Sequence, residues 1–578
     1  MVRVLPDVGA IDKEFDYLVP DALAGDVRVG TMVRIALHGR RVGGWVTAED
    51  VVPAEGRALR PLAKVTGWGP APEIVELAAW AAWRWAGRRA SLLTTASPEQ
   101  AVRGLPPAPA PGAVPTGPGT GDPALTEALE HPAGRAVLRL PPAHGLGPVV
   151  LAAAARGRVL VVTPSAPMAA ELAIGLRRGG ISVAVVPREW ARAAAGAQVV
   201  IGARGAAWAP CPGLASVVVL DGHDEGLQQE QAPTWVAWVV AGERARRAGV
   251  PCVVVSPCPT VELLAWAPLV VASRSVERAG WAALEVIDRR RDDPRTGLYS
   301  ARLVDLVRDG GRVVCVLNRK GRARLLVCGS CGATARCTRC GAAVTQRRDG
   351  DPPPLVCGRC ATTRPPLCAE CGSTRLAALR LGVARVRDEL EALAGRPVGE
   401  VTAETGPMPD AAVLVGTEAV LHRVGPVDAV VFVDFDQELL APRHRGAEEA
   451  LALLARASRL VGGRHRHGRV LVQTRVPHHE VLLSAVNADP ARLAASERGV
   501  RVALGLPPER ALALVSGPAA PVFVASLPAE LPAGCEIRGS GEGSWLLRAP
   551  DHRVLADLLH AAVRPPGRLR IEVDPARI

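Results

Sequence analysis

Lysine is almost absent from this chain of 578 residues: only Lys13, Lys64 and Lys320 occur, and every other cation is arginine. Phenylalanine and tyrosine are scarce too, at four and two residues. Such a bias belongs to the composition of the source, so arginine richness alone does not point to nucleic acid. Any chemistry that needs a lysine at a defined place must find it among three positions. No apolar run reaches the roughly 18 residues of a membrane helix. The start, Met1-Val2-Arg3-Val4-Leu5-Pro6, lacks the apolar stretch of a secretory leader. The expectation is a cytoplasmic protein without a membrane partner. Repeats with a period of 20–50 residues, the mark of a solenoid, are also missing.

What is present is a dense block of cysteine. Eight of the thirteen cysteines form four CxxC pairs: Cys328/Cys331, Cys337/Cys340, Cys357/Cys360 and Cys368/Cys371. A CxxC turn brings two thiolates to one side, and two such turns complete a tetrahedral site, so eight ligands predict two closed zinc sites. A disulfide framework is the alternative, but it belongs to short secreted chains. Cys211, Cys252, Cys258, Cys315 and Cys535 are scattered and read as buried or idle thiols. The formal charge is +12, and Val316–Arg380 holds twelve cations against three carboxylates, a local excess of +9. Eight thiolates and two Zn²⁺ would leave about +5 there. A small basic metal-stapled module fits a nucleic-acid or protein contact; a solvated basic surface without a partner is the plain alternative.

Length predicts roughly three to five domains. Short alternating segments broken by Gly and Pro (Met1–Leu5, Phe15–Val19, Thr31–Leu37, Gly43–Ala48) predict a small β-rich domain. Ala71–Trp85 predicts a helix with Ile74, Leu77, Ala78, Ala81 and Trp85 on one face. Trp80 and Trp83 read as core or domain-contact residues rather than base-stacking ones. Gly104–Asp122 is rich in Pro and Gly and reads as a linker. Apolar strands then alternate with Ala-rich helical stretches: Ala136–Leu140, Val159–Val162, Ser182–Val186, Val199–Ile201, Val217–Leu220 and Cys252–Ser256. A second run at Arg312–Leu317, Ala411–Val415, Ala429–Val433 and Arg469–Gln473 is interrupted by the cysteine block. This rhythm predicts two mostly parallel α/β lobes. An α+β piece closes the chain from about Ala511 to Ile578.

The zinc block Cys-Gly-Ser-Cys-Gly…Cys-Thr-Arg-Cys…Cys-Gly-Arg-Cys…Cys-Ala-Glu-Cys-Gly-Ser resembles the PriA family of bacterial primosomal replication-restart proteins. Val316-Leu-Asn-Arg-Lys-Gly321, just before it, is similar to that family's strand leading into the insertion. Phe15-Asp-Tyr-Leu-Val-Pro20 resembles its signature for DNA 3′ ends. Ile201–Ala206, Val415–Glu418, Gln473-Thr474 and the tail Ile571–Pro575 fall in the family's order, so the resemblance spans nearly the whole chain. It implies two RecA-like helicase lobes with a zinc-binding insertion, a β-rich N-terminal DNA-binding domain and an α+β C-terminal domain. The implied divisions are 1–103 for 3′-end binding, 104–124 linker, 125–272 lobe 1, 273–327 and 376–508 lobe 2, 328–375 zinc module and 509–578 C-terminal domain. The implied zinc sets are Cys328, Cys331, Cys368 and Cys371 for one ion, and Cys337, Cys340, Cys357 and Cys360 for the other. Sequential pairing stays open on sequence alone. A pocket for a terminal nucleotide is implied at Phe15, Asp16, Gly39 and Lys64. An aromatic supports a base, Asp accepts from a 3′-hydroxyl, Gly admits close approach and Lys meets phosphate; core packing is the plain role for Phe15.

The fuel site departs from this resemblance. A phosphate-cradling loop needs Gly-rich backbone, a Lys and a Ser/Thr for Mg²⁺. The matching stretch is Leu140-Pro-Pro-Ala-His-Gly-Leu-Gly-Pro148, where Gly145 and Gly147 remain. Pro141, Pro142 and Pro148 have no N–H to offer. No lysine lies between Lys64 and Lys320. Where the family carries Asp-Glu-Glu-His, this chain has Asp221-Gly222-His223-Asp224-Glu225; Ser256-Pro-Cys-Pro259 replaces Ser-Ala-Thr-Pro; and the late arginine motif keeps Arg459. Gly145, Gly147, Asp221 and Arg459 are thus remnants of a catalytic site, and ATP with Mg²⁺ is not an expected cofactor. A winged-helix domain usual in the family has no room between Arg103 and Gly145.

The resulting expectation is a non-catalytic pseudo-helicase of replication restart with two Zn²⁺ per chain, in the cytoplasm with the nucleoid. Its implied partners are branched DNA with a free 3′ end, helicase-loading proteins and single-strand-binding protein. Two alternatives stand beside it: an active ATP-dependent 3′-to-5′ helicase with an atypical nucleotide site, and a zinc-ribbon interaction scaffold with no DNA role.

Overall fold

In a computed structural model, residues 1–9, 11–52, 59–115, 119–292, 298–317, 326–347, 352–378, 383–402, 404–541 and 543–577 are described. Lys320 and the rest of the 318–321 stretch preceding the cysteine block lie outside them.

The amino-terminal strands order as 60–61, 15–18, 2–6, 40–49, 32–37 and 64–67. Segment 60–67 pairs first with Phe15–Leu18 (Tyr17 opposite Arg60) and then with Met32–Leu37 (Arg34 opposite Lys64), closing the sheet into a small barrel. Its interior is Val2, Val4, Tyr17, Val33, Ile35, Val46 and Leu62, the alternate positions that a pleated strand turns inward. The helix Pro72–Arg84 follows. Pro72 sits in its first turn with Glu73, Arg84 in its last, and Ile74, Leu77, Ala78 and Ala81 are buried along one stripe. Trp83 Nε1 donates to Asp557 on the helix His552–Ala561 (2.9 Å) and Arg84 pairs with Asp574 (2.9 Å), so this helix docks on the carboxy-terminal domain. The Pro/Gly stretch lies against lobe 1, where Gly112 N donates to Gln198 Oε1 at 3.0 Å.

Lobe 1 is a seven-stranded sheet in the order 269–271, 135–139, 252–255, 214–219, 158–162, 199–202, 183–185, and every neighbouring pair is parallel. Its central strands, such as Arg158–Val162 and Cys252–Val255, are Val-rich runs buried on both faces, as helix-covered parallel sheets require. Lobe 2 is a six-stranded parallel sheet ordered 283–288, 469–474, 429–432, 313–316, 413–416, 398–401. The cysteine module leaves lobe 2 after Val313–Val316 and returns at the helix Val383–Ala394. It is built on short antiparallel pairs, Leu326–Cys328 with Leu376–Ala378 and Val344–Gln346 with Leu355–Cys357. The chain closes with a four-stranded antiparallel sheet ordered 536–541, 544–549, 511–516, 570–573. Among the described residues no helix is long and apolar enough to cross a membrane.

Candidate functional site

Each CxxC turn is made the same way. The residue after the second cysteine donates its N–H to the carbonyl of the first: Gly332 to Cys328, Gly341 to Cys337, Ala361 to Cys357 and Gly372 to Cys368, at 2.9–3.0 Å. That residue takes a positive φ (74°, 71°, 56° and 71°), which is why three of the four are glycine. The turns leave the paired thiols facing one way. Cys328, Cys331, Cys368 and Cys371 form one cluster, and Cys337, Cys340, Cys357 and Cys360 another, with all ligand atoms of a cluster within 4.8 Å. Closest sulfur separations are 3.6 Å (Cys328–Cys371, Cys331–Cys368) and 3.5 Å (Cys337–Cys360, Cys340–Cys357). These are far longer than a disulfide bond and close to the edge, about 3.8 Å, of a tetrahedron with metal–sulfur bonds of about 2.3 Å. Either cluster could hold a metal ion. The arrangement joins outer turn to outer turn and inner to inner; sequential pairing does not occur.

The two clusters differ in setting. Around the inner one, Ala343 N donates to Leu440 O (2.7 Å) and Arg359 pairs with Glu497 (3.2 Å), fastening it to lobe 2. The outer cluster exposes Cys331 and Cys371. Of the remaining cysteines, Cys211, Cys252, Cys258 and Cys315 are buried and Cys535 is half-buried.

The second site lies at the carboxyl ends of the lobe 1 strands, where open α/β sheets place ligands. Loop 140–147 follows the strand Arg135–Arg139, Asp221 follows Leu214–Val219, and Ser256 follows Cys252–Val255. In the loop, Ala143 N is taken by Gly280 O (3.0 Å) and His144 N by Pro141 O (2.9 Å). Burial holds the His144 imidazole below its ordinary pKa, with Asp122 opposing more weakly. It is therefore neutral at pH 7 and brings no cation to the loop. Across the cleft, the lobe 2 helix Gly446–Val461 presents Arg459. Its NH1 and NH2 donate to both carboxylate oxygens of Asp221, at 2.5 and 2.7 Å, and its Nε donates to Pro142 O at 3.1 Å. Burial raises the Asp221 pKa and the Arg459 charge lowers it; the arginine wins, and the carboxyl stands at about 2. The two remnants thus neutralise each other and tie the loop to both lobes.

Gly222 is closely packed. A Cβ there would collide with Val254 Cγ1 and lie 3.2 Å from Leu263 Cδ1, so the residue type that a water-activating acid would need has no space. His223 Nδ1 meets Ser256 Oγ at 3.0 Å. The cleft continues as a cavity of about 620 Å³ lined by Asp221, Asp224, Glu225, Arg443, Arg456 and Arg459 among others.

A second bridge went unseen in the sequence. Glu262 of lobe 1 accepts from Arg445 Nε and Arg501 NH1, both at 3.0 Å. Arg501 NH2 also donates to Glu448 (2.5 Å), while Glu448 accepts from Val261 N (2.8 Å). Burial works against the Glu262 charge, but Arg445 and Arg501 hold its pKa down to about 2. The partners lie 183 to 239 residues apart, so no local spacing announces them.

The four residues expected to receive a DNA end are all on the barrel. Phe15 is half-buried against the interior and lies under Lys13 Nζ at 5.9 Å. Asp16 accepts from Arg3 Nε at 2.9 Å. Gly39 (φ 78°) is at the hairpin turn, with open space where a Cβ would stand, and Lys64 is exposed. Tyr17 Oη donates to Ala36 O (3.1 Å), drawing the hairpin toward the strand of Phe15 and Asp16. Among the described residues no hydrogen bond or ion pair joins the four to one another.

Residues 3–98 match a family model described as a 3′DNA-binding domain (3′BD). The chain is 30% identical over 617 residues to a probable replication restart protein PriA of Mycobacterium tuberculosis, an alignment covering 98% of this chain and 91% of that protein. It is 30% identical to the Mycobacterium leprae counterpart, over 92% of this chain and 89% of that one. With the replication restart protein PriA of Bacillus subtilis it shares 26% identity over 55% of this chain and 43% of that protein.

Proposed function

The chain belongs to the PriA replication-restart family, and on that premise we propose that it is a fork-binding platform without a motor. The single observation that carries this reading is the bidentate pairing of Arg459 with Asp221. In a working site of this kind the carboxylate serves Mg²⁺ and the arginine serves the transferring phosphate. Here each already has the other as partner, and no lysine or serine/threonine stands in loop 140–148 to replace them. Removing one such group from a catalytic site costs orders of magnitude in rate, and several are missing together.

The two cysteine clusters take Zn²⁺. Four thiolates around each ion leave no open position for a substrate, so the metal serves as a cross-link. The barrel holds the terminal nucleotide of a leading strand: Asp16 accepts from the 3′-hydroxyl, Lys64 meets phosphate, Phe15 supports the base and Gly39 admits the backbone. Residues 1–103, 125–272, 273–327 with 376–508, 328–375 and 509–578 act as the working units, joined by 104–124. Helicase-loading proteins and single-strand-binding protein are recruited through the basic zinc module and the carboxy-terminal domain, in the cytoplasm at the nucleoid.

Phosphate release from ATP on forked DNA tests the reading. The expected rate equals that of a protein-free blank. Clear turnover that disappears in an Asp221→Asn variant would overturn it.

A further inference from the structure

From Val27 to Thr47 the barrel carries Arg28, Arg34, Arg40 and Arg41 and no carboxylate. The strand register shows where these charges go. Arg34 lies directly opposite Lys64, and Arg41 lies opposite Ala36, two residues along from Arg34 and so on the same face. Arg34, Arg40, Arg41 and Lys64 are all exposed. Like charges set directly opposite on adjacent strands repel, and among the described residues no ion pair reaches any of these four. Asp7 is a carboxylate beside this row: its Cβ lies 3.6 Å from where a Cβ on Gly43 would stand, and it has no ion-pair partner among the described residues. Gly43, opposite Arg34, leaves a shallow floor between the cations. Elsewhere some exposed arginines are paired, as Arg246 and Arg247 are with Glu243, while others, such as Arg178 and Arg553, have no ion pair among the described residues. What sets this face apart is that its cations stand opposite one another on neighbouring strands.

We infer that this outward hairpin face, Arg34, Arg41 and Lys64, binds the sugar–phosphate backbone of DNA. Lys64 also belongs to the terminal-nucleotide pocket proposed above, so the row leads from that pocket onto the flanking backbone. A polyanion supplies the countercharge that the fold withholds. The inference rests on the fork-binding reading but differs from it in kind: the pocket reads the chemistry of an end, whereas the row reads charge alone.

Fluorescence anisotropy of the full-length protein on a labelled fork separates the two. The junction strand ends in a 3′-hydroxyl in one fork and a 3′-phosphate in the other, and salt is varied. A double R34A/R41A variant is expected to bind both forks about tenfold more weakly, with a salt slope shallower by about 2. The R34K/R41K variant, which keeps the charge, should recover both affinity and slope. An unchanged slope in R34A/R41A would overturn the inference. So would a loss confined to the 3′-hydroxyl fork, because the two arginines would then belong to the pocket. If the parent protein binds both forks equally while R34A/R41A still flattens the slope, the pocket reading falls and the backbone surface stands.

Discussion

In the cysteine module, eight thiols converge in two groups of four; the Thr362 hydroxyl lies 3.1 Å from Cys360 Sγ, and among the described residues no charged side chain is paired with the sulfurs. The inter-lobe cleft, by contrast, has already paired its charges: Arg459 with Asp221, and Arg445 and Arg501 with Glu262. The first arrangement could hold an ion from outside; in the second, groups of the protein are paired with one another. On the reading proposed above, the acid and the arginine that would face a nucleotide satisfy each other instead, and their pair bridges the two lobes.

Breaking the metal side should have the larger effect. A Cys340→Ser variant is expected to reduce the metal content from two ions to one per chain and to loosen the inner cluster from lobe 2. Structural zinc contributes on the order of 10 kcal/mol in small domains, so the module should become protease-sensitive. Limited proteolysis with a metal assay checks this; retention of both ions would contradict it. Breaking the cleft should cost less but still be measurable. Asp221→Ala leaves Arg459 without its partner, and loss of one member of a buried pair costs about 3–5 kcal/mol. Because Arg459 keeps some exposure (29% of its side chain), the lower end is expected. A catalytic aspartate kept only for turnover would leave the denaturation midpoint unchanged.

Acid sharpens the comparison further. Asp221 and Glu262 are both held near pKa 2 in the folded protein, against burial, by their arginines. Carboxyls depressed in this way contribute stability above their ordinary values of about 4, and lose it as pH falls toward 2. The inter-lobe contact should therefore weaken between about pH 4 and pH 2, and the Asp221→Ala variant should show a smaller slope there. Equal slopes in the two proteins would mean that the bridge adds nothing.

Much of this could be read before any coordinates. The interior strands of both lobes follow from Val-rich runs, and the clusters follow from CxxC spacing. The lobe strands that escaped notice, Leu269–Val271, Ala283–Asp288 and Val398–Val401, lie at sheet edges. One is only three residues long, and the others carry Glu or Asp among their apolar positions, so the apolar signal fades. The missing lysine of the fuel site was plain in the sequence. What replaced it was not, because Asp221 and Arg459 are 238 residues apart. Nor does a glycine reveal that its position is crowded: Gly222 reads as a lost acid, while Val254 and Leu263 explain why none fits.

The most direct measurement is an equilibrium titration of the full-length protein, bound to forked DNA, with magnesium ATP. The pairing of Arg459 with Asp221 predicts no saturable binding up to millimolar nucleotide. One-to-one binding that vanishes when Asp221 or Arg459 is changed would contradict it, since the pair would then be serving a ligand instead of each other.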